Sequence, residues 1–230
     1  MTTAQDVLDA LAGVRDPELD EPLTDLGFVA EVQVGEGRVD VRLRLPTYFC
    51  APNFAWLMVH DARSAVLALD GVQEAVVKLD DHCASAEINS GVSRSAGFEQ
   101  TFPGETTGEL DELREKFARK AFVARQARVC DVLLRAGQTP DEVVLLRLSD
   151  LEPGPDQARC VSLRAELGID ASPGAQAFVA PDGRALDAAG LKRWLRIARL
   201  VRLSVEGNAG LCRALLKTRY RIGDPQEVAA

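Results

Sequence analysis

Val39, Val41, Leu43 and Leu45 alternate with Asp40, Arg42 and Arg44, a period of two that predicts a strand with one buried face. Residues 28–34 read as its partner, with Gly35-Glu36-Gly37 as the hairpin connection. Ahead of the hairpin, Val7, Leu8, Leu11 and Val14 recur at helical spacing behind Thr3 and Asp6, a capping-box pattern, so a helix is predicted over 4–13. Asp16-Pro17-Glu18-Leu19 cannot continue it, because proline removes a donor and disfavours αR in the residue before it. Beyond Pro46, the loop Thr47-Tyr48-Phe49-Cys50-Ala51-Pro52 leads into Phe54, Leu57, Met58, Ala62, Ala65, Val66 and Leu69, one face of a helix of about five turns. Asp70-Gly71 stops that helix, and Val72, Ala75, Val76, Val77 and Leu79 predict a third strand running to Asp80.

The order αββαβ predicts an α/β (α+β) domain: a small mixed sheet with helices on one face, covering the apolar side that the sheet cannot leave in water. A crossover over 46–72 makes the second and third strands parallel, so the Cys50 loop and the segment after Asp80 emerge at one edge. Past residue 92 the pattern changes. Residues 93–108 (SRSAGFEQTFPGETTG) read as a polar linker, after which Leu110, Leu113, Phe117, Ala121 and Ala124 mark a helix of roughly 25 residues. Thr139-Pro140-Asp141-Glu142 starts another helix with an N-cap, a proline at N1 and acids in the first turn. Residues 178–184 resemble a short hairpin. From Leu191 a helix sets Trp194, Leu195, Ala198 and Val201 against Lys192, Arg193, Arg196 and Arg199, and a last helix is expected over 208–220. The expected organisation is therefore a domain at 1–92, a linker at 93–108 and a mainly helical module at 109–230, for client binding or homodimer formation.

With 47% hydrophobic and 27% charged residues, the 230-residue chain is excluded from the disordered class. No run of about 18 apolar residues offers a membrane span, and MTTAQDVLDA lacks the basic start and apolar run of a signal peptide. The cytoplasm is the expected compartment. Cys50, Cys83, Cys130, Cys160 and Cys212 are an odd number without framework spacing, which indicates thiols rather than structural disulfides. The net charge of −8 is uneven: 16 acidic and 6 basic residues over 1–92, a net of −10, against 19 and 21 over 93–230, a net of +2. An acidic first module would repel phosphates, which disfavours nucleic acid as its partner. The nine Lys/Arg between Lys192 and Arg221 come without a nucleic-acid recognition motif and read as a solvated face or a dock for an acidic protein surface. No GxxxxGK[ST], GxSxG or HExxH motif occurs, so nucleotide hydrolysis and serine chemistry are disfavoured.

Two readings stand for Cys50. A free cysteine commonly packs as a small apolar residue, but this one precedes a predicted helix by two or three residues, where the positive helix start favours a metal-binding thiolate. Asp80-Asp81-His82-Cys83 follows the third strand. Cys50, His82, Cys83 and Asp81 could converge there on iron or zinc, or the segment is only a polar turn. His60 reads as a surface helix residue, and Cys130, Cys160 and Cys212 as packed thiols.

Asp16-Pro17-Glu18-Leu19, then Asp25-Leu26-Gly27-Phe28-Val29, then a strand leading to Thr47 and Cys50 with Pro52, then Leu69-Asp70-Gly71-Val72, form a succession that resembles the metal–sulfur (iron–sulfur) cluster assembly domain. That family includes SUF-operon accessory factors and the phenylacetate-oxygenase maturation protein. The resemblance is confined to the first 80 residues; the helical extension resembles nothing familiar. It implies transient handling of iron or an iron–sulfur cluster for a client apo-metalloprotein, in company with other assembly factors. The reactive cysteine maps onto Cys50 and the acidic turn onto Asp16 and Glu18. The family sets proline directly after this cysteine, whereas here Ala51 intervenes before Pro52, and the typical member lacks the His82-Cys83 pair. The segment DHCASAEINSGV resembles a subgroup encoded beside soluble di-iron monooxygenases, which would make such an oxygenase the client. Three functions compete: an assembly factor, a mononuclear metalloenzyme using Cys50, His82 and Cys83, and a structural adaptor.

Overall fold

A computed structural model describes residues 2–104 and 110–222. Thr3 caps α1 (Ala4–Ala12) reciprocally with Asp6, the capping box that its sequence specifies. The hairpin consists of β1 (Val29–Val34) and β2 (Arg38–Arg44), antiparallel and with a register irregularity between Val29 and Glu31. α2 (Pro52–Leu67) then crosses over to β3 (Glu74–Asp80), which pairs parallel with β2. The sheet order is β1-β2-β3, the mixed sheet that the crossover predicts.

Period-two patterning divides the sheet into two faces. Val39, Val41 and Leu43 lie opposite Ala75, Val77 and Leu79 in register, and all six are buried with Val7, Leu11, Phe28, Leu57, Val59, Ala62 and Val66 in one core. The alternate positions meet solvent as an ion-pair ladder, in which Arg38 holds Asp40 and Glu74, and Arg42 holds Glu31 and Asp80. Exposed pairs of this kind set register more than they add stability.

Two short helices follow β3. α3 (Ser85–Ser93) lies where no element was expected, and α4 (Phe98–Thr101) within the expected linker. Asn89 explains what α3 does: its amide accepts from the Leu79 N–H at 2.8 Å and donates to the Leu79 C=O at 3.0 Å. An edge strand's open backbone groups are thereby partly covered. Gly91 permits α4 to pack closely, since a Cβ there would lie 2.2 Å from Thr101 Oγ1. Phe98 and Phe102 are core contacts of this domain.

The rest of the described chain is mainly helical: α5 (Leu110–Arg135), α6 (Pro140–Val143), a 3₁₀ turn at Leu148–Asp150, α7 (Pro155–Glu166) and α8 (Ala188–Tyr220). The expected hairpin at 178–184 is reduced to a single bridge, Val179 to Ala185. Two compact units result: residues up to Leu110 together with those from Asn208 on, and Asp111–Gly207. This differs from a division at 92 and 108, because α3, α4 and the end of α8 all belong with the sheet; the stretch 105–108 of the expected linker lies outside the described residues.

In the second unit the buried Arg164 donates to the carbonyls of Asp170, Gln176 and Ala177 and lies over the Phe122 ring. Asp131, 5% exposed, holds Arg199 and Arg202, so part of the basic face of α8 is used internally. Cys130 and Cys160 are buried, as packed thiols are expected to be, and burial pushes the Cys130 thiol up to about 12.

Candidate functional site

The acidic turn after α1 is built by Asp16. Its Oδ1 accepts from the backbone N–H groups of Glu18 and Leu19, both at 2.9 Å, closing the turn that Pro17 begins. Asp16 is only 8% exposed, and burial raises its carboxyl to about 6 despite those two donors.

The second component is the β2–α2 loop. Pro52 occupies the first turn of α2 and Ala51 its N-cap, without a side-chain cap, so Cys50 stands two residues before the helix. Ala51 therefore supplies the extended residue that must precede a proline. Cys50 is half-buried, with Thr47 Oγ1 at 3.2 Å from its sulfur. Beside it Phe49 is 78% exposed and Tyr48 45%, in edge-to-face contact at 4.9 Å.

His82 joins this loop to the end of β3. It is 2% exposed. The Ala84 N–H donates to Nδ1 at 3.1 Å, so the neutral ring carries its proton on Nε2, which donates to the Cys50 carbonyl at 2.7 Å. The Cys83 N–H reinforces the junction by donating to the Tyr48 carbonyl at 2.9 Å.

The last turns of α8 complete the surroundings. Asn208 Nδ2 donates to Glu18 Oε1 at 3.4 Å, Arg213 pairs with Glu21 at 2.7 Å, and Arg219 donates to the carbonyls of Leu45 and Asp81. Ala209 and Leu216 are buried in the same core as the sheet. Cys212 lies between them on the helix. Burial pushes its thiol up to about 11, and the negative charge that Asp16, Cys50 and Glu18 present when ionised adds to this.

The residues expected to form one metal centre are thus brought together unequally. Cys50 and His82 meet, but through the Cys50 carbonyl, with both imidazole nitrogens occupied by backbone groups. Cys83 is exposed, and the Asp81 carboxylate is paired with Arg219. Among the described residues no group of three or more His, Cys, Asp or Glu could hold a metal ion. His60 pairs with Asp61 and stacks on Trp56, consistent with a helix surface role. Gly27 adopts φ +75° beneath Leu216, and Asp25 is exposed beside Thr24. Cys212, read from sequence as a packing residue, packs half-buried against the same core as the sheet.

No described helix is long and apolar enough to cross a membrane. The profile of the iron–sulfur cluster assembly protein family matches residues 4–78, the stretch from α1 to β3 that contains the acidic turn, Gly27 and Cys50. An uncharacterized protein of Methanocaldococcus jannaschii is 34% identical over 90 residues, 39% of this chain and 93% of that relative. An iron–sulfur cluster carrier protein of Synechocystis is 35% identical over 79 residues, 34% of this chain but 22% of the relative. Since nearly the whole archaeal relative is matched, and the matched profile spans the domain that carries these motifs, the chain belongs to the iron–sulfur cluster assembly protein family.

Proposed function

We propose that this protein handles iron or an iron–sulfur cluster as cargo, holding it transiently at Cys50 and passing it to a client apo-metalloprotein. One observation carries the reading: within the segment matched to the family, a half-exposed thiol stands at a strand-to-helix loop braced by His82. A thiolate is a soft ligand suited to iron and to clusters. The thiol is reachable, whereas a closed structural metal site would surround its ion with four protein ligands. Few protein ligands suit a carrier, because cargo that is held by few bonds can be passed on.

The exposed Phe49 and Tyr48 next to the thiol are the natural first contact for a client, since aromatic side chains dominate protein interfaces. The Synechocystis relative is named a cluster carrier, which agrees with transport of cargo rather than turnover of a small molecule. As to which client, the Asp81-His82 and Ile88-Asn89 pairs favour a di-iron monooxygenase. A metalloenzyme built on Cys50, His82 and Cys83 has less support, because His82 spends both ring nitrogens on Cys50 O and Ala84 N.

The test is anaerobic reconstitution with iron and sulfide, followed by transfer to an apo di-iron or apo iron–sulfur acceptor. Wild type should take up and pass on iron, and Cys50→Ser should fold normally yet do neither. Equal uptake and transfer by both would overturn the proposal.

A further inference from the structure

Two segments adjoin Cys50, and one side chain from the far end of the chain ties them to each other. The first leaves β2 through Leu45 and reaches Thr47, whose Oγ1 lies 3.2 Å from the Cys50 sulfur. The second leaves β3 through Asp81 and reaches His82, which donates to the Cys50 carbonyl at 2.7 Å. Arg219, in the last turn of α8, bonds to both. Its Nη1 donates to the Leu45 carbonyl at 3.1 Å, and its Nη2 donates to the Asp81 carbonyl at 2.6 Å and to the Asp81 carboxylate. The guanidinium lies over the Tyr220 ring, 5.3 Å from its centroid, and the Tyr220 hydroxyl donates to the same carboxylate at 3.4 Å. Asp81 sits at φ +51°, a left-handed conformation uncommon for a residue with a side chain. The bonds from Arg219 help to hold that bend, one residue ahead of His82.

We infer that Arg219 is a positioning residue of the Cys50 site: its guanidinium holds the loop after β2 to the turn after β3 and, through Thr47 and His82, sets how open the thiol is to cargo and acceptor. This rests on the proposed function and brings into it a residue far outside the matched segment 4–78. A planar guanidinium suits the task, because its donors point in fixed directions and serve two carbonyls at once. A lysine ammonium is a point charge on a flexible stem. Bonds from a charged donor are also stronger than neutral ones. The Arg219 side chain is only 19% exposed, so water replaces its bonds poorly, and its loss frees both segments together. Ala209 and Leu216 keep α8 anchored in the core without it.

The test follows alkylation of each cysteine by mass spectrometry in the full chain, reduced and under native conditions, for wild type, Arg219→Leu and Arg219→Lys. Cys212, half-buried on the same helix, gauges general loosening. Loss of charged hydrogen bonds to both segments should raise the Cys50 rate by roughly tenfold or more in both variants, with the Cys212 rate near that of wild type. After anaerobic reconstitution with iron and sulfide, both variants should also lose iron to a chelator faster than wild type. An unchanged Cys50 rate or unchanged iron loss in Arg219→Leu overturns the inference. So does an equal rise at Cys50 and Cys212, which would mark Arg219 as a support of the fold alone, and so does a wild-type Cys50 rate in Arg219→Lys, since charge would then suffice without the fork. If Arg219→Leu folds poorly, Arg219→Lys, which keeps the charge and the stem, carries the same comparisons. These outcomes leave the proposed function standing; that reading fails instead if Cys50→Ser takes up and passes on iron as wild type does.

Discussion

The Nε2–H of His82 donates to the backbone carbonyl of Cys50 while its Nδ1 accepts from Ala84, so one buried imidazole fixes the thiol-bearing loop to the end of β3. Its removal leaves two backbone groups without their partner, each worth about 1–3 kcal/mol when buried. His82→Ala should therefore lower unfolding free energy by about 2–4 kcal/mol, cavity included. Under native conditions, alkylation of Cys50 should also quicken. Denaturant titration and timed alkylation measure the two effects, and an unchanged Cys50 rate in a destabilised variant would show that His82 supports the core but not the loop.

Asp16 gives the protein a predictable pH response. Burial raises its folded-state carboxyl from 3.8 to about 6. Between those values the folded protein binds more protons than the unfolded chain, so stability falls as pH rises through the window, and the full penalty is present above about 6. Asp16→Asn keeps an oxygen for the Glu18 and Leu19 N–H groups and carries no charge. At pH 7 it should be more stable than wild type by about 1–3 kcal/mol, a gain that disappears as pH approaches 4. Unfolding curves at pH 7 and 4 check this; the same variant should hold cargo less well if the carboxylate serves the site.

Gly27 and Leu216 form a second coupled pair. The glycine sits at φ +75°, which costs other residues about 1–2 kcal/mol, and an added Cβ would press on Leu216 Cδ2. Gly27→Ala should lose about 1–3 kcal/mol. In a Leu216→Ala background its cost should shrink towards the backbone penalty alone, leaving a non-zero coupling in the double-mutant cycle.

Within the helical unit, Arg164→Leu strips three carbonyls of their donor and should destabilise that unit by roughly 3–5 kcal/mol. The alkylation rate of Cys50, which lies in the other unit, should not change at protein concentrations and temperatures where both units remain folded. A matched rise in that rate would show that the two units unfold together.

The residues differ in how far they could be read from sequence alone. Val39, Val41 and Leu43 declare β2 because alternate positions face one core, and Thr3 with Asp6 declares the start of α1 because a capping box is a local device. α3 is hidden: SAEINSGVS is rich in Ser, Asn and Gly, which favour helix interiors poorly, and its packing on Leu79 and Thr101 stabilises what propensity does not. α8 runs through Gly207, where a break between two helices was the natural reading, because contacts along its length outweigh a cost of about 1 kcal/mol for a glycine. His82 was legible as a special residue but not as a brace, since its partner is a carbonyl 32 positions away.

The most direct measurement is iron uptake per protein after anaerobic reconstitution, on wild type and Cys50→Ser side by side, with circular dichroism to establish that both are folded. Iron and sulfide bound by wild type and released to an acceptor, with neither in the folded variant, is the predicted result. Equal iron content in the two proteins would contradict the account.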